Sequence, residues 1–173
     1  MSPTALPVPA PVPEFLAPRI EAVRLAIRSG QPQQALDMAR AISGELADSH
    51  GPLHVYTLHA LELAAFCAQM AGRPADATET SLQAAAGFHR LLGAGHRHVE
   101  RQIRNAAAHW LTVSDLADAV RTGTAFLALL QSLDRPHPAA VFVERRLAAI
   151  TGPDPRAAEL ALRAHGPALL IRP

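Results

Sequence analysis

A spacing of 42 residues recurs along this chain and limits its fold more than any other feature. Gly30-Gln31-Pro32, with Ala35 and His54, is matched 42 residues later by Gly72-Arg73-Pro74, with Ala77 and His96. Ala119 extends the series of Ala35 and Ala77. Ala22, Ala64 and Ala106 form a second series, and Val23, Ala65 and Ala107 a third. A fixed period of this size is the mark of stacked helix–turn–helix units, each too small to bury its own apolar face.

The rest of the chain agrees with helices. Hydrophobic residues make up 49% of the 173 positions and aromatics only 4%, so Ala and Leu carry the apolar mass. That mixture favours closely packed helices over sheets. Ile20, Val23 and Ile27 fall on one face at helical spacing. Ser29-Gly30 ends that pattern, because Gly adopts a left-handed cap, and Pro32 suits the first turn of the next helix. The same stop and start is expected at Gly72/Pro74 and at Gly152/Pro155, with Asp154 capping the last helix. Ser114-Asp115 marks the turn of the third unit, which lacks both Gly and Pro.

The spacing predicts eight helices in four pairs: 19–29 with 32–48, 54–71 with 74–92, 97–112 with 115–133, and 138–150 with 155–165. Residues 1–18 form a separate Pro-rich, flexible N-terminal segment, with Pro3, Pro7, Pro9, Pro11 and Pro13 suited to extended polyproline structure. The helical repeat domain then covers 19–173. The fold class is all-α, an α-α superhelix of about four helix hairpins.

Several functions are disfavoured. The net charge is +1, from 16 basic and 15 acidic residues, which gives no general attraction to nucleic acid or anionic lipid. Every basic residue is Arg, scattered along the chain. No apolar run reaches the length of a membrane span, and the N-terminus does not read as a signal peptide, so a cytoplasmic protein is expected. Cys67 is the single cysteine and reads as a small buried hydrophobe. Nine histidines invite a metal, but His96, His98 and His89 lack a Cys, Asp or Glu at ligand spacing. They read instead as capping or solvent-exposed side chains. No catalytic residue, metal ligand or cofactor motif is expected.

The joint spacing of turn glycines and small residues resembles the tetratricopeptide repeat, in a longer form of about 42 residues. Gly30 and Gly72 match its turn glycine, Ala65 and Ala107 its small first-helix position, and Ala35, Ala77 and Ala119 its small second-helix position. Trp110 alone matches the first-helix aromatic. Leu92-Gly93-Ala94-Gly95-His96 and Arg104-Asn105-Ala106-Ala107 look like junction and helix motifs of long repeats in actinobacterial proteins. The likeness covers about residues 19–150. It implies a non-enzymatic scaffold or adaptor that binds a protein or peptide in a concave groove lined by first helices. On that basis the candidate binding residues are Arg101, Arg104 and Asn105, with His59 and Glu62 as counterparts one repeat earlier. A ligand-responsive regulatory or sensor domain of a bacterial regulator or biosynthetic pathway is the alternative, and an all-α enzyme ranks last. The apolar excess at Phe126–Leu133, Val143–Ile150 and Leu169–Ile171 further suggests a homodimer through the C-terminal half.

Overall fold

The computed structural model describes residues 13–163, and among them it is all-helical, with no strand. Eight helices follow in order: α1 (Ala17–Arg28), α2 (Pro32–His50), α3 (Val55–Met70), α4 (Pro74–Leu92), α5 (Arg97–Leu111), α6 (Leu116–Ser132), α7 (Ala139–Thr151) and α8 (Pro155–Arg163). Each packs on its neighbours in chain order, which gives a helical repeat in the form of an α-α superhelix. The polyproline run at Pro3–Pro11 and the stretch Leu169–Ile171 lie outside the described residues.

The turns follow from their residues. Gly30 has φ 71°, and the amides of Gly30 and Gln31 donate back to the carbonyls of Ile27 (3.0 Å) and Ala26 (2.9 Å). Gly72 repeats this, with φ 69° and bonds from Gly72 to Gln69 (3.1 Å) and Arg73 to Ala68 (2.9 Å). Both are left-handed caps that satisfy the last carbonyls of a helix. Pro32 and Pro74 each open the following helix. In the third unit the Asp115 carboxylate accepts from the Asp118 amide at 2.9 Å, so a side-chain cap replaces the glycine turn. Gly152 departs from expectation. Its φ of −68° and ψ of 166° are extended, so it makes no left-handed cap. Asp154 does start α8, accepting from the Arg156 amide at 2.9 Å.

Histidine caps the odd-numbered helices from α3 onward. The Nδ1 atoms of His54 and His96 accept from the amides of Tyr56 and His98, each at 3.3 Å, and His137 accepts from Ala139 at 3.1 Å. An imidazole can accept there only through an unprotonated nitrogen. The Nε2–H of His137 is then free to donate to Glu100, 3.0 Å away.

The small residues lie at the helix contacts. Ala35, Ala77, Ala107 and Ala119 are fully buried and Ala65 is nearly so. Val23 is buried at the matching place in α1. Exposed ion pairs join successive even-numbered helices: Arg40 of α2 to Asp76 of α4 at 2.7 Å, and Glu79 of α4 to Arg121 of α6. Trp110 adds an aromatic wedge to the third hairpin. Its indole N–H donates to the Ala119 carbonyl at 2.8 Å, and Phe126 and Phe142 meet its ring edge-on. With this ring between them, α5 and α6 approach less closely than α3 and α4. Phe126, Leu130, Val143 and Ile150, read from the sequence as an apolar excess, are buried within their own chain.

Gly123 of α6 provides the space that Trp110 fills. A Cβ added there would lie 2.5 Å from the indole and 2.8 Å from Leu147. Gly123→Ala should therefore overpack the third hairpin and cost about 1–3 kcal/mol. Gly44→Ala, mid-helix with nothing within 4 Å of the new Cβ, should instead gain about 0.5–1 kcal/mol. Thermal or urea unfolding of the two variants checks the contrast.

Candidate functional site

Three of the five candidate residues meet at the seam between α3 and α5. Glu62 of α3 is the hub. It accepts from His59 Nδ1 at 2.9 Å, from Arg101 at 2.5 Å and from the amide of Gln102 at 2.6 Å. Arg101 also donates to His98 Nδ1 at 3.0 Å. One turn of spacing puts His59 and Glu62 on the same edge of α3, and Arg101 reaches the carboxylate from the parallel edge of α5.

The seam continues two turns further on. The carbonyl oxygen of Gln69 accepts from His109 Nδ1 at 3.1 Å, and its amide reaches Thr112 Oγ1 at 3.4 Å. Glu62 and Gln69 are seven apart, as are Gln102 and His109. The two helices therefore run side by side with one polar contact every second turn. Gln69, Gln102, His109 and Thr112 were not singled out in the sequence, and His98 was read there only as a capping or solvent-exposed side chain. The heptad spacing within each helix was the available signal. The pairing between helices follows an offset of 40, not 42, and only their packing sets that.

Electrostatics agree with a closed internal network. Burial pushes the Glu62 pKa up, but hydrogen bonds from His59 and Arg101, with the Arg101 charge, outweigh it and hold the carboxyl below its ordinary value. Burial and the Arg101 guanidinium push His98 down, in keeping with a neutral ring that accepts from Arg101. Burial alone lowers His109. Aromatic contacts line the same region: Phe88 stacks on His98 at 4.9 Å between ring centres, and His59 lies 5.4 Å from Phe88.

The other two candidates differ. Arg104 and Asn105 are exposed on α5 and make no hydrogen bond or ion pair within the described residues. The predicted set thus divides in two. His59, Glu62 and Arg101 join helices, and Arg104 and Asn105 remain available to a partner. No group of three or more His, Cys, Asp or Glu among the described residues could hold a metal ion.

Cys67 is fully buried in α3, and burial pushes its thiol up to about 11. A thiol-specific disulfide reagent at pH 8 should leave it intact in the folded protein and titrate one thiol after denaturation.

Glu62→Gln tests the hub. A carboxyl held below its ordinary pKa of 4.5 stabilises the fold fully above that value. The contribution is lost as pH falls below it, through the lower folded-state pKa. The variant should lose about 1–3 kcal/mol at neutral pH. Its deficit against the parent should shrink as pH drops below 4.5, as denaturant melts across that range would measure.

No protein-family model matches the chain, and no curated protein is significantly similar to it.

Proposed function

We propose that this chain is a non-enzymatic module that binds a protein or peptide across the exposed face of α3 and α5. The observation that carries this reading is the division within the site. Beside a seam whose polar groups, apart from the Gln102 carbonyl oxygen, are paired within the chain, Arg104 and Asn105 stand exposed and unengaged. Repeated helix hairpins with small-residue contacts make a stiff platform for such a surface. The likeness to long tetratricopeptide repeats of actinobacterial proteins supports the same role, in a cytoplasmic adaptor or scaffold. No helix among the described residues is long and apolar enough to cross a membrane.

A ligand-responsive sensor domain is the second reading. A shallow hollow of about 320 Å³ between α2, α3 and α4, lined by Arg40, Ser43, Thr57, Thr80 and Gln83, favours it. Self-association through the C-terminal half is a narrower proposal than the sequence suggested, because the apolar residues described there are largely covered by the chain itself. Among the described residues of that half, Leu116, Val141 and Leu160, 47%, 51% and 69% exposed, are open to a second copy.

Arg104→Ala/Asn105→Ala is the informative variant, since Arg101→Ala would also break the Glu62 contact. The intact chain, immobilised and passed over native-host extract, should retain a partner that the double variant loses by about tenfold or more. Circular dichroism should be unchanged. Equal retention by both proteins would overturn the reading.

A further inference from the structure

The face of α5 that turns outward is a line of arginines. Arg97, Arg101 and Arg104 are spaced four and three apart, which puts them on one side of the helix, and all three are exposed. Arg101 is occupied by Glu62, whereas Arg97 and Arg104 make no ion pair among the described residues. A fourth arginine joins them from α7. Phe142 meets the Trp110 ring edge-on, and Arg146 lies over it at 5.0 Å, so this side of α7 borders α5. Arg145 lies one turn after Phe142 on that border, exposed and without an ion pair among the described residues. The acids nearby are engaged: Glu62 by Arg101, Gln102 and His59, and Glu100 by His137. Glu144 sits about 100° around α7 from Arg145, away from α5. Glu100 keeps its charge, because the His137 ring that donates to it also accepts at Nδ1, so three arginines set against one carboxylate leave this face net positive.

An apolar strip runs parallel to it. Phe66 and Met70 of α3 are 50% and 48% exposed and one turn apart. The pairs Glu62 with Gln102 and Gln69 with His109 fix the register of α3 against α5. That register brings Phe66 abreast of Asn105, on the outer side of the seam. Across the face, then, come an aromatic and a thioether, a floor of small side chains at Asn105 and Ala108, and the arginines. Aromatic residues, Met and Arg are the types enriched where proteins bind one another.

We propose that this face recognises an acidic peptide segment with an apolar anchor, the anchor seated on Phe66 and Met70 and the Asp or Glu side chains on Arg97, Arg104 and Arg145. The proposal rests on the peptide-binding reading above and names the chemistry of its partner. The guanidinium fork matches a carboxylate in two parallel hydrogen bonds. Apolar area beside the charges explains why a segment of mixed character fits better than a phosphate backbone, which would leave Phe66 and Met70 in water. The acids are internal side chains, because the arginines extend as a line over two helices and do not converge on one point.

The test is selection from a random peptide library on the intact chain, followed by titration of fluorescent synthetic copies of the selected sequences. The expected sequences carry two or more Asp or Glu beside a large apolar residue. Their affinity should fall at least about tenfold with Arg104→Ala/Arg145→Ala, and comparably with Phe66→Ser/Met70→Ser. It should weaken as salt rises and stay unchanged when the peptide C-terminus is amidated. Circular dichroism and thermal melts of both variants verify folding. Neutral or basic peptides that ignore Arg104 and Arg145 but need Asn105 and Phe66 would overturn the acidic specificity and leave the peptide-binding reading standing. Loss on amidation would overturn it in favour of a terminal carboxylate. Selection of no peptide, or binding only of a single-stranded oligonucleotide or phosphatidylserine vesicles, would overturn both.

Discussion

Close approach between helices is the constraint on which the rest of this structure depends. A central helix such as α3 is packed between α2 and α4 and also adjoins α5, and helices can crowd in this way only where their side chains are small. Ala60, Ala64, Ala65 and Ala68 supply that on α3, and Ala77, Ala84 and Ala85 on α4. Gly87 lets Leu58 lie directly on the α4 backbone. Large side chains enter where the small ones leave room, with Trp110 over Gly123 as the clearest case. Overpacking at such contacts is felt because protein interiors have no slack to absorb an extra methyl group.

Packing this close has a consequence for polar groups. A helix hemmed in on three sides has few exposed positions, and those at its edges must find partners or stay wet. Glu62 finds three partners, and Gln69 two. Each partner lies within α3 itself, on α5 or, for Thr112, at the C-terminal cap of α5. The polar seam is thus a means of aligning neighbouring repeats as well as of satisfying buried groups. Gln102, almost fully buried, gives its amide to Glu62, and its own carbonyl oxygen has no partner. Among the described residues, it is the one buried side-chain atom of the seam left without a hydrogen-bond partner.

Helix starts are handled with unusual economy. Three successive odd-numbered helices begin with a histidine whose ring nitrogen accepts an orphan amide. In a chain with nine histidines, this removes three from the roster of candidate ligands. Of the others, His59 and His98 are held around Glu62 and Arg101 and His109 by Gln69, whereas the buried Nδ1 of His89 has no hydrogen-bond partner among the described residues. A histidine-rich composition here is a structural property of repeat junctions and seams.

Much of the architecture was legible in the sequence, because it depends on local chemistry. Glycine can adopt positive φ, proline pre-sets the first helical turn, and aspartate caps. Gly30, Gly72, Pro32, Pro74, Asp115 and Asp154 therefore marked helix ends before any packing was known. The 42-residue spacing of small residues marked positions that are buried among the helices for the same reason, since it repeats with the unit. Gly152 misled, because glycine permits a left-handed turn without requiring one. What tertiary structure alone decided is how side chains from different repeats meet. Nothing in the sequence near Arg101 says that Glu62, 39 positions earlier, will occupy it, or that Arg104 and Asn105 will be left alone. That outcome depends on the relative rotation and slide of two packed helices. These are set by the sum of many apolar contacts, and no short motif encodes them.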